Sequence, residues 1–149
     1  LDDLTVTLAE GSVGEALRLA EGDGAALYRS ILGALAQMPG APREGLTALA
    51  ERAAGRGAEE TYDLLLTLTA RAVGRIVRHG AGGRAPLLAE EAEAAARLCP
   101  HLGAAQAWAA ELQEMEGRAA HARAVNLDPA QVVLDMWLAI DRQARLATA

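Results

Sequence analysis

The sequence predicts an all-α protein, a helical bundle over residues 43–149 preceded by a shorter helical lead-in, 1–38. Composition is the first reason. Apolar residues make up 52%, yet aromatics are only 3% and phenylalanine is absent, so the core must be built from Ala, Leu and Val. Unbranched side chains lose little rotamer freedom in a helix, and the aromatic and β-branched enrichment of strands is missing. Periodicity is the second reason: apolar residues recur at helical spacing, and no stretch alternates apolar with polar as a half-buried strand does. Helix start and stop signals, set out below, are the third. A chain of 149 residues suffices for one domain with a real core, burying roughly two-thirds of its unfolded surface.

Residues 1–10 read as the end of a helix closed by Gly11. Ser12 caps the next, with Glu15 at the capping-box position where its carboxylate reaches back to the Ser12 amide, and the helix runs to about Glu21. Gly22, Asp23 and Gly24 interrupt it, and Asp23 is placed to cap a third helix carrying Leu27, Ile31, Leu32 and Leu35, which Pro39 ends. The stretch QMPGAPREG, 37–45, is a loop and the candidate domain boundary. A short helix over 43–54 follows, punctuated by Gly55 and Gly57. From Ala58 to Arg78 the apolar positions Leu65, Leu66, Leu68, Ala72, Val73, Ile76 and Val77 cover more than one stripe, which predicts a helix buried around much of its circumference. HGAGGRAP, 79–86, is a hinge or loop tip, and Pro86 suits the first turn of a helix reaching Leu98. Pro100 and Gly103 separate it from a helix over 104–124 with Trp108, Leu112 and Met115 on one face. In NLDPAQ, Asp128 is an N-cap and Pro129 the first residue of a last helix, along which Val133, Met136, Trp137 and Ile140 follow the helical repeat. Six to eight helices are expected.

The chemistry this chain can support is narrow. All fourteen basic residues are arginine, which excludes a Schiff-base lysine and a phosphate-loop lysine. A formal charge of −6 disfavours independent nucleic-acid binding, which needs a basic surface. Cys99 is the only cysteine, so no intrachain disulfide forms and a reducing, cytoplasmic setting is expected. The apolar runs are too short and too charged to span a bilayer, and no signal peptide is expected from the residues present. The chain starts on Leu1 and reads as a domain cut from a longer polypeptide. Cys99 with His101, His79 and His121 lacks metal-ligand spacing, so no metal and no cofactor are expected. Ser12 and Ser30 lie outside any nucleophile elbow, and the carboxylates of EEAE, 90–93, read as a solvated acidic face at a helix start.

Two patterns have more shape. Arg71, Arg75 and Arg78 form a basic stripe on the long helix, opposite in sign to Glu59, Glu60 and Asp63 at its beginning. The pattern suits the helix dipole first, and secondly a meeting with carboxylates of a neighbouring subunit or a phosphate backbone. Residues 25–85 carry eight arginines against five acids, while the other segments are negative. On the last helix, the apolar set 133, 136, 137, 140 is joined by 132, 134 and 138. Such breadth means central burial or contact with another chain, so Met136, Trp137 and Ile140 join the three arginines as subunit-interface candidates.

GSVGEAL, 11–17, followed by ALYRSILGAL and, far downstream, NLDPAQVVLDMWLAI, resembles the C-terminal region of the delta-prime subunits of bacterial DNA polymerase III clamp loaders. The resemblance covers nearly the whole chain. The first motif looks like the sensor-2 helix that ends an AAA+ lid domain, and NLDPAQ like the start of the last collar helix. In ATP-hydrolysing subunits the motif reads approximately G-S-x-R-D-A-L, its arginine reaching the γ-phosphate. Here Gly14 holds that place, and a glycine cannot make the charge-assisted contact. The resemblance therefore implies a non-catalytic fragment: the end of an AAA+-like lid over 1–38, then a collar domain over 43–149. It also implies assembly with the gamma/tau ATPase and delta subunits, with the sliding clamp and primed DNA met only indirectly, in the full complex. The competing expectations are a helical adaptor unconnected with replication and, third, a small enzyme using Cys99 or a carboxylate pair.

Overall fold

The computed structural model describes residues 3–9, 12–21, 23–83 and 88–149. Its order is α1 (Asp3–Leu8), α2 (Val13–Glu21), α3 (Gly24–Ala36), α4 (Arg43–Glu51), α5 (Glu59–Gly80), α6 (Ala89–Leu98), α7 (Leu102–Ala124) and α8 (Pro129–Thr148). Among the described residues every regular element is a helix, as the composition predicts. None is long and apolar enough to cross a membrane. Gly11, Gly22 and Pro86, assigned to helix ends above, lie outside the described residues.

Most caps follow the expected chemistry. Ser12 Oγ accepts from the Glu15 amide at 3.2 Å. Asp128 Oδ2 accepts from the Gln131 amide at 3.1 Å, with Pro129 opening α8. The turn before α8 also ends α7: Asn126 takes a left-handed φ of 55°, and the Leu127 amide reaches back to the Ala122 carbonyl at 3.0 Å. Three expectations are corrected. Glu15 does not close a capping box, because the Ser12 amide donates to the Ala9 carbonyl and the Glu15 carboxylate is held by Arg18. Asp23 makes no side-chain cap; its backbone is itself left-handed, at φ 56°. Helix α7 starts at Leu102, and the side chain that caps it is His101, whose Nδ1 accepts from the Ala104 amide at 3.0 Å.

Helix α5 is the axis of the molecule, packing against α3, α6, α7 and α8. This explains the spread of its apolar positions, with Leu64, Leu65, Leu68, Thr69 and Ala72 all fully buried. Helix α8 is the second internal element, meeting α4, α5, α6 and α7. Of the two explanations left open for its broad apolar surface, central burial is the one found.

The expected boundary at 37–45 does not divide the core. One continuous apolar cluster runs from Leu4 to Ala144, taking residues from both sides of the loop. Leu35 of α3 lines the same small interior space as Val73, Leu98 and Trp108. Polar ties cross as well: Arg97 of α6 donates to the Leu35 carbonyl at 2.8 Å, and Asp141 of α8 accepts from the Gly40 amide at 2.7 Å. These bonds fasten the loop and the end of α3 to elements of the bundle.

Where α5 ends, Gly80 is packed so closely that a Cβ would sit 2.2 Å from Cys99 Sγ and 2.8 Å from the Cys99 carbonyl oxygen. The thiol fills the space a side chain would need, and its burial pushes its pKa up. Gly80→Ala is therefore expected to cost about 1–3 kcal/mol in urea denaturation, as overpacking does. Cys99→Ala in the same chain removes the sulfur but not the carbonyl, so it should restore only part. A Gly80→Ala midpoint equal to wild type would refute this.

Candidate functional site

The arginine stripe divides along α5. One turn faces α6 and the interior. Glu91, at 1% exposure, is buried where α3, α5 and α6 meet. Its Oε2 accepts from Tyr28 Oη at 2.7 Å and from Arg75 Nε at 2.5 Å, while Oε1 accepts from Arg75 Nη2 at 3.1 Å and the Leu88 amide at 2.8 Å. Burial pushes the carboxyl pKa up, but the bonds from Arg75, the Leu88 amide and Tyr28, with the guanidinium charge, outweigh it and hold the group below the usual glutamate range. Tyr28 is pushed far up, by burial first and then by the Glu91 carboxylate. Arg75 is raised by its bond to Glu91. The cluster ties three helices together with its charges matched. Arg75 thus belongs to the interior, with its side chain 10% exposed, and offers no surface to a partner.

The solvated acidic face expected at 90–93 is corrected at this one position. A signal for it exists in the sequence. Glu91 heads the series 91, 94, 95, 98, whose other members are the buried Ala94, Ala95 and Leu98, and Tyr28 likewise heads 28, 31, 32, 35. A polar residue leading an inward stripe predicts a partner inside.

Met136, Trp137 and Ile140 are also interior, at 7%, 0% and 0% exposure. As interface candidates they are corrected by the packing of α8 between four other helices.

Arg71 and Arg78 stand outside the Glu91 cluster. They line an open groove of about 390 Å³ between α5 and α7, together with Arg123, which sequence inspection missed. The two helices are antiparallel: Arg123 Nε lies 3.5 Å from Asp63 Oδ1, and Leu112 packs beside Gly74. Leu66, Met115, Ala119 and Met136 form the apolar lining, and Glu116 is the one acidic residue in it. Arg71 sits on the rim, its Nη1 donating to the Leu8 carbonyl and its Nη2 lying 3.7 Å from Glu15. Arg78 is exposed, and among the described residues no carboxylate pairs with it. Arg123 was legible only in retrospect, because 52 residues separate it in sequence from Arg71 and only the antiparallel packing unites them.

The other reactive side chains have structural surroundings. Ser12 caps α2, Ser30 Oγ donates to the Ala26 carbonyl at 3.3 Å, and Cys99 is buried beside Gly80. Among the described residues no three His, Cys, Asp or Glu side chains gather as a metal ion would require. Gly14, in the first turn of α2, has open space where a side chain would project. Comparison with known proteins places no relative beside this chain: no family model, no curated protein and no solved structure matches it.

Proposed function

We propose that this chain is a non-catalytic assembly domain of a bacterial-type clamp loader, the collar region of a delta-prime-like subunit, working in the cytoplasm. It joins gamma/tau ATPase and delta subunits into one complex. It meets the sliding clamp and primed DNA only through that complex and needs no cofactor of its own. The observation that carries this reading is the ordered pair of motifs, GSVGEAL with Gly14 in the sensor-2 place and NLDPAQ at the head of the last helix. Each motif opens a capped helix, α2 at Ser12 and α8 at Asp128, and the open surroundings of Gly14 suit a position from which a longer side chain would reach outward.

Mixing the purified chain with loader ATPase and delta subunits, at micromolar concentration, is expected to shift it into their gel-filtration peak. Elution of the folded chain on its own, with the other subunits forming their complex without it, overturns the proposal. The groove, and not Trp137 or Arg75, is the place for surface variants, since changes at those two residues act on the core.

A further inference from the structure

We infer that the joint between α6 and α7 is a proton-sensitive clasp: a neutral His101 fastens the first turn of α7, and protonation of that one ring lets the turn open. The inference stands apart from the loader reading, since it needs no partner chain.

The cap carries it. His101 is the N-cap of α7, with extended backbone at φ −153° and ψ 169°, and its Nδ1 accepts from the Ala104 amide at 3.0 Å. A ring nitrogen accepts only while it carries no proton, so the bond requires the neutral ring with its hydrogen on Nε2. Serine, asparagine and aspartate, the ordinary caps, go on accepting through mild acid. Histidine is the side chain whose ordinary charge change falls between about pH 5 and pH 8. Once protonated, the ring turns from acceptor to donor and sets a positive charge against the positive end of the α7 dipole. Both effects act against the first turn.

The surroundings leave the cap to that one bond. The ring lies over Gly103, where a Cβ would stand 3.2 Å from Nδ1 and 3.4 Å from Cε1, so the missing side chain lets the imidazole close over the turn. His101 is exposed, and protons reach it from solvent. The first turn of α7 and the whole of α3 carry no acid. The last turn of α6 carries Arg97, whose guanidinium donates to the Leu35 carbonyl, and that of α5, packed on the buried Cys99, carries Arg78 and His79. Helix α6 packs on α8 as well, whose last two turns hold Asp141, Arg142 and Arg145, the acid taken by Arg145 and the Gly40 amide. Among the described residues no carboxylate pairs with His101 to hold it charged. One turn on, Trp108 Nε1 donates to the Leu98 carbonyl at 2.8 Å, a bond that no titration in this range touches. Opening is thereby confined to the residues ahead of Trp108.

The test is nuclear magnetic resonance on the whole chain, wild type and His101→Asn, which keeps an acceptor that does not titrate. At pH 8, proton–nitrogen correlation spectra should show His101 with a bare Nδ1 and a proton on Nε2. Between pH 8 and pH 5 the exchange protection of the wild-type Ala104 amide, corrected for its intrinsic rate, should fall about fivefold, the usual worth of an N-cap. His101→Asn should hold steady across the same range, and the Trp108 indole signal should keep its place in both. His79 and His121 remain in the variant, so their titration produces no difference between the two proteins. His101→Ala should show at pH 8 the low protection that wild type reaches only at pH 5. A proton on Nδ1 at pH 8, Ala104 protection that ignores pH in wild type, or an equal fall in His101→Asn would each overturn the inference.

Discussion

Glu91→Gln is expected to destabilise the protein by about 3–5 kcal/mol, because it leaves the Arg75 guanidinium buried without its countercharge. That is a large part of the 5–15 kcal/mol typical of a domain, and on a chain of this length it should lower Tm by roughly 10 °C. Replacing the cluster as a whole, Tyr28→Phe, Arg75→Met and Glu91→Leu together, should recover much of the loss, since packed apolar side chains often equal a buried ion pair. A single variant within 1 kcal/mol of wild type in urea denaturation would show that the charge is dispensable. The same carboxylate sets an acid dependence. Its folded pKa is depressed, so the unfolded chain takes up the proton more readily. The stability it contributes is fully present above the ordinary glutamate value of about 4.3 and is lost as pH falls through the lower folded value. Wild type should weaken below about pH 4, and Glu91→Gln should show a flatter profile there.

Trp137→Ala is expected to cost about 3–5 kcal/mol through the cavity it opens at the centre of α8's packing. The indole N–H finds no acceptor among the described residues, so Trp137→Phe gives up no hydrogen bond and should cost distinctly less. Urea denaturation of the two variants separates this from an interface role. A residue facing another chain would leave the stability of the isolated protein within about 0.5 kcal/mol of wild type, and that result for Trp137→Ala would contradict its interior position.

The helices were legible because their signals are local. Ser12, Asp128 and Pro129 act within one turn, and the apolar series of α5, α7 and α8 report burial directly. What escaped inspection depends on elements distant in sequence. Arg75 looked like one of three equivalent arginines until Glu91 and Tyr28, 16 and 47 positions away, claimed it. The helical repeat keeps the three arginines on one face, and it is the neighbouring helices that divide them: Glu91 of α6 takes Arg75, while Leu8 and Glu15 take Arg71. Trp137 and Met136 illustrate the ambiguity of large apolar side chains, which suit a core and an interface equally. Its neighbour Cys99 makes His101 look like a ligand in the sequence, while its place three residues before Ala104 is what gives it a partner.

The loop at 37–45 changes direction without separating anything. Leu35, before it, leans on the same interior as Trp108 and Val73, after it, and Arg97 grips the last turn of α3 from the far side. Among the described residues, the three helices before the loop and the five after it therefore depend on one another for their interior. A lineage that shed the first part would strip Tyr28 from Glu91 and uncover Leu35's neighbours, so gene fission or module exchange at this point yields two halves, neither with a finished interior.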